Sequence, residues 1–253
     1  MARSTQVSRM SSALSKRKRP SSWTRTSVKK RAATSQVKNA GIMRLRRNDF
    51  GFPDSMITKF KYGDQFTLTS SAGVVDNHTF RLNSIFDPDL TIAGHQPMWY
   101  DQFLGASASS APYKNFRVLS SKMKAIFAYV TAPATVAVNQ GPCLVGIVPS
   151  TSSTLLASTT SALMETDAAS IKFLGDKSAA NNFRTLYATY NPQRDLGLDT
   201  GDDTISALYN ANPSQAFYAH VMKIDSVGSS SVIVYVDIEY TVEVFQRNEV
   251  GQS

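Results

Sequence analysis

The sequence predicts an all-β body, an antiparallel sandwich, carried behind a disordered basic arm. Three observations lead there. Apolar and polar residues alternate with period two in seven short segments, Gly, Pro, Asn, Asp and Ser clusters separate those segments, and acidic residues are absent from the first 48 positions.

The charge division comes first. Residues 1–48 carry fourteen cations: Arg3, Arg9, Lys16, Arg17, Lys18, Arg19, Arg25, Lys29, Lys30, Arg31, Lys38, Arg44, Arg46 and Arg47. The first carboxylate is Asp49, and of the 27 basic and 19 acidic residues of the chain, 13 basic and all 19 acidic lie within residues 49–253. The arm is therefore +14 and the remainder −6, which assigns them different tasks and sets the boundary between 1–48 and 49–253. The arm is rich in Ser, Thr, Lys and Arg and poor in large apolar groups, so it cannot bury enough surface to offset the entropy of ordering. Its cations suit a polyanion through counterion release, and all fourteen are the expected nucleic-acid contacts. Lys16-Arg17-Lys18-Arg19 and Lys29-Lys30-Arg31 form two clusters with the spacing of a bipartite nuclear localisation signal, which implies an import receptor. Trp23 lies between them, placed to stack on an unpaired base.

The body of about 200 residues suits one large all-β domain or two small ones. Expected strands are Met56–Leu68, His78–Asn83, Tyr113–Val130, Cys143–Val148 closed by Pro149, Asn182–Tyr190, Gln215–Ile224 and Ser231–Phe245. In the first, Thr58, Phe60 and Tyr62 share a face; in the last, Val232, Val234, Val236, Ile238, Tyr240, Val242 and Val244 do. Short helical turns are expected within Pro97–Leu104 and Ser161–Ala169. With no βαβ rhythm, seven or eight strands make an antiparallel sandwich. The long connections 84–112, 149–170 and 191–214 exceed hairpin loops and mark functional ones.

Catalytic patterns are lacking, so an enzyme is not expected, nor a cofactor or metal. His78, His95 and His220 are isolated and read as structural. Gly201-Asp202-Asp203 resembles the metal-binding turn of RNA-dependent polymerases, but that fold needs a longer chain; a solvated turn is expected, with a loosely held calcium as the alternative. Asn77-His78-Thr79 matches a glycosylation acceptor with no secretory signal beside it. Cys143, the one cysteine, reads as an inert core thiol. No apolar run reaches the length of a membrane span, so membrane insertion is not expected.

One stretch carries a family resemblance. Phe80-Arg81, Asn83-Ser84, Phe86-Asp87-Pro88-Asp89, Gly94-His95-Gln96-Pro97, Tyr100-Asp101-Gln102 and Tyr113 to Lys124 together resemble the capsid proteins of small circular single-stranded DNA viruses, the circovirus-like group. Phe52-Pro53-Asp54 and the preceding basic arm resemble the same family. Leu82 departs from it where relatives carry glycine, and Gly105–Pro112 looks inserted. The resemblance implies an eight-stranded jelly roll, a shell of about sixty copies, a packaged single-stranded genome with DNA favoured, and residence in the virion and, during assembly, the host nucleus. An RNA-virus capsid of the same fold, and a nucleic-acid-binding β protein that never forms shells, are the alternatives. Met98, Trp99, Tyr100 and Phe103 concentrate more apolar surface than one subunit readily covers. Trp99, Tyr100 and Phe103 are therefore expected at a subunit interface, with core packing as the alternative.

Overall fold

A computed structural model describes residues 53–71, 73–92, 95–107, 109–129, 142–156, 159–166, 169–175, 183–225 and 228–248. The fourteen basic positions of the arm, and its expected disorder, lie outside the described residues. Among the described residues nine strands follow one another: β1 (Ser55–Ser71), β2 (Val75–Arg81), β3 (Tyr113–Tyr129), β4 (Cys143–Ser150), β5 (Ser170–Leu174), β6 (Phe183–Tyr190), β7 (Ser206–Leu208), β8 (Tyr218–Asp225) and β9 (Ser229–Arg247). Three short helices, α1 (Tyr100–Phe103), α2 (Thr160–Met164) and α3 (Pro192–Asp195), lie in the long connections.

Two antiparallel sheets result. The first has the order β1-β9-β3-β6, with β7 added beside β3; the second has the order β2-β8-β4-β5. The pairing is nested: β1 with β9, β2 with β8, β3 with β6 and β4 with β5. A long antiparallel ribbon folded over itself in this way is a jelly roll. The sandwich expected from the sequence is thus present, with β7 as an addition to the eight strands.

The row Val232, Val234, Val236, Ile238, Tyr240, Val242 and Val244 points inward from β9, and each residue is buried. Period-two alternation puts these side chains on one face, and hydrogen bonding to β1 on one side and β3 on the other seals the strand's backbone. Phe60 and Tyr62 of β1 and Phe116, Met123 and Phe127 of β3 complete the layer. From the second sheet, Cys143, Val145, Ile147, Ala219 and Val221 meet it.

Three departures from the sequence reading have physical causes. β4 continues through Pro149 instead of stopping there. Its pairing with β5 ends at Ile147, so Pro149 bonds only towards β8 and its missing N–H leaves no ladder bond unmade on the open side. β5 and β7 were not expected: β5 exposes two successive residues, Lys172 and Phe173, which breaks alternation, and β7 is three residues long. In β6 the alternating row Phe183, Thr185, Tyr187, Thr189 proves to be the outer face, while Leu186, Ala188 and Tyr190 enter the core.

A buried ion pair fastens the two sheets. Lys223 Nζ of β8 lies 2.5 Å from Asp225 Oδ2, and both side chains are almost wholly enclosed. Lys223 also donates to Ser70 Oγ of β1 (2.7 Å) and to the Ser230 carbonyl of β9 (3.0 Å). Asp225 accepts from Ser70 Oγ, the Ser230 amide and Ser230 Oγ. Burial raises the Asp225 carboxyl's pKa, but the Lys223, Ser230 and Ser70 hydrogen bonds outweigh it and leave the pKa below its usual value. The cluster offsets desolvation by filling the donor and acceptor positions of both charges. Lys223→Ala should therefore lose about 3–5 kcal/mol of stability in urea titration, because it strands a buried carboxylate. Lys59→Ala, which breaks an exposed pair, should lose no more than about 1 kcal/mol; equal effects would contradict the clamp.

Candidate nucleic-acid and subunit interfaces

The first sheet presents a mixed but lysine-rich outer face. Lys61 of β1, Glu239 of β9 and Lys122 of β3 stand in one cross-strand row, with Asp237, Lys124 and Tyr187 in the next. Lys59 reaches Glu239 Oε1 at 2.7 Å. That hydrogen bond, with the fields of Lys59, Lys61 and Lys122, holds the Glu239 carboxyl below its usual range. Three lysines around one glutamate leave local positive charge on a body that is negative in sum. β1 is the edge strand here, and it is the strand that follows the arm in sequence.

The aromatic segment divides. Tyr100 is buried, and its hydroxyl donates to the Tyr209 carbonyl; burial raises its phenol pKa. Phe103 is partly buried and meets Phe60 edge to face, with 5.7 Å between centroids. Trp99, by contrast, is 63% exposed, and Met98 beside it is 68% exposed. Tyr100 and Phe103 thus pack within the chain, and the apolar surface left at this segment belongs to Met98 and Trp99.

The histidines hold structure together. His78 Nε2 lies 2.8 Å from both oxygens of Asp89, and its ring stacks on Phe66 at 4.0 Å. Asp89 Oδ1 also accepts from the Thr91 and Ile92 amides, so this pair pins the connection after β2 back onto that strand. Burial opposes ionisation of Asp89, but its bonds to His78 and to the Ile92 and Thr91 amides win, and its carboxyl sits below the ordinary value. His220 contacts Thr79 Oγ1 (2.9 Å) and the Ser152 carbonyl (3.0 Å), and burial lowers its pKa. His95 stacks on Tyr62.

Asp64 approaches His78 and Asp89, and the ligand atoms of the three lie within 4.8 Å of one another. This is the single such grouping among the described residues, and the sequence reading did not find it. Its members stand eleven or more positions apart, joined by the sandwich edge. The His78–Asp89 bond and the two loop amides already occupy the inner donors and acceptors, so the arrangement works as a loop fastening. Asp202 of the Gly201-Asp202-Asp203 triplet accepts from the Thr204 amide and hydroxyl and caps a short 3₁₀ turn, Asp203–Ile205. Asp195 is engaged by Arg194. Cys143 is buried, and burial raises its thiol pKa above the usual value.

The fold class is a jelly-roll sandwich, a scaffold that serves many unrelated functions. No family model matches the chain, and no curated protein matches it. Among solved structures, the chain is similar to desmodium yellow mottle tymovirus, at 13% identity and TM-score 0.39, covering 83% of this chain and 97% of that one. It is also similar to the decameric BFDV capsid protein, at 12% identity and TM-score 0.41, covering 76% and 99%. The empty head of turnip yellow mosaic virus gives 12% identity and TM-score 0.39, covering 84% and 93%.

Because the Asp89 carboxyl is depressed in the folded state, its contribution is complete above the unfolded carboxylate pKa of about 3.9 and disappears as pH falls through the folded value. Asp89→Asn should accordingly be less stable than the parent at pH 7, with the gap narrowing below about pH 4. Urea titrations across pH check this; a gap that widens in acid would contradict it.

Proposed function

We propose that this chain is the shell subunit of an icosahedral virus, and that residues 1–48 gather a single-stranded genome. The observation that carries the reading is the charge division: fourteen cations with no acid, followed by a net-negative β body. A folded nucleic-acid reader places its cations on its structured surface; here the excess lies in a segment unable to form a core. The jelly roll is compatible with a shell subunit, and the resemblance of residues 80–124 to circovirus-like capsid proteins favours a DNA genome. About sixty arms would supply on the order of 840 cations, enough to neutralise much of a genome of roughly one or two thousand nucleotides. Lysine and arginine without a folded reader give affinity, not sequence readout.

On this reading the two basic clusters, Lys16–Arg19 and Lys29–Arg31, first engage an import receptor and then the genome, so the chain passes through the host nucleus before entering the virion. The test is negative-stain microscopy of the purified full chain, with the absorbance ratio of any particle and nuclease typing of its contents. Uniform closed particles containing DNase-sensitive nucleic acid are expected. RNase-sensitive contents would select the RNA-virus reading. A protein that binds nucleic acid yet never closes into particles would select the non-shell reading. Deleting residues 1–48 should leave particles that form but hold no nucleic acid.

A further inference from the structure

Trp99 has φ 73°, in the left-handed region that a side chain with a Cβ adopts only when its surroundings hold it there. The surroundings do so. The Met98 amide donates to the Lys61 carbonyl on the edge of β1, the Gln102 amide donates to the Trp99 carbonyl, and Pro97 and Tyr100 on either side are buried. The backbone is fixed at both flanks, and the outcome is two large apolar side chains directed away from the subunit. Within one copy, that strain and exposure gain nothing.

At the other end of the first sheet lies a cleft of about 540 Å³ beside β6. Pro149, Tyr187, Ala188 and Phe217 supply apolar walls, and Thr189, Arg194 and Asp195 complete the lining. Both guanidinium contacts to Asp195 are 2.7 Å, and Arg194 also donates to the Thr189 carbonyl, so its plane is held in place. A fixed guanidinium beside an apolar cleft is suited to the face of an indole. The charges also match across the two sites: exposed Asp101 adjoins the Trp99 turn, and exposed Lys124 is the cross-strand partner of Tyr187.

Met98–Trp99 borders β1 and the cleft borders β6, strands at opposite ends of the β1-β9-β3-β6 sheet. We infer that the Met98–Trp99 knob of one copy seats in the β6 cleft of the next, joining copies head to tail. Such a contact is heterologous: each junction leaves one knob and one cleft free, so it extends into rings, which other contacts can join into a shell, instead of stopping at a dimer. This rests on the shell reading and adds to it the pair of surfaces that meet.

The test is mild oxidation of the full chain carrying Met98→Cys together with Thr189→Cys, which lines the cleft. Native Cys143 is buried and does not interfere. The double variant should give a ladder of covalent dimers, trimers and larger species on non-reducing gels, with neither single variant doing so. Measured where both proteins are dissociated, Trp99→Gly should melt at a higher temperature than the parent, because it relieves the positive φ, yet associate roughly thirty-fold or more weakly, as for loss of a central aromatic anchor. Dimers from either single variant would overturn the head-to-tail geometry. Normal particles with no ladder would overturn the contact while leaving the shell reading intact. A parent protein that stays monomeric at every salt and concentration would overturn both.

Discussion

Everything in this fold depends on β9 being covered on three sides at once. Its inward row of valines, with Ile238 and Tyr240, is removed from water only if β1 and β3 both bond to its edges and the second sheet closes over its face. Each apolar side chain of that size contributes about 1.5–3 kcal/mol when fully buried. The nested pairing follows from this: the first strand must return to the last, and the strands between them fold onto the same layer. Lys223 and Asp225 then make the layer spacing specific, since only one approach of β8 to β1 and β9 satisfies both charges.

The same constraint sends the remaining chemistry to the periphery. Inner faces are filled by packing, so contact groups occupy outer faces, edges and long connections. The outer face of the first sheet keeps its lysines, the turn at Trp99 keeps an exposed indole, and β6 keeps Tyr187 and Phe183 outside. Residues 1–48 add to the sequence a dense positive charge that the net-negative remainder lacks. On the proposed reading, shell and tether are separate solutions to separate physical problems, joined through one chain.

Long alternating strands were legible because alternation is a local property. β1, β3 and β9 fall within a few residues of their expected ends, and the inward row of β9 was named side chain by side chain. What stayed hidden depends on distant partners. Lys223 reads as one more alternating strand position; that it is fully enclosed follows from Ser70, more than 150 positions away. Asp64, His78 and Asp89 share no local motif. The aromatic cluster was legible as a cluster, but its division was not, since Tyr100 goes inward on account of Tyr209 and Phe103 on account of Phe60, while the left-handed turn keeps Trp99 out. β5 and β7 exist because neighbouring strands, β4 and the long β3, offer bonding positions, a cause that lies outside their own residues.

The central claim is that nucleic acid is held by the charge of the arm, acting without sequence readout, while the sandwich builds the container. It is tested most directly by the salt dependence of single-stranded DNA binding, compared between the full chain and residues 49–253. The account predicts that log K for the full chain falls linearly with log salt, with a slope as steep as about −10 if every arm cation meets a phosphate. It also predicts near-equal affinity for unrelated sequences, and a slope close to zero for the shortened chain. A shortened chain that kept the full slope, or a full chain that favoured one sequence strongly, would contradict it.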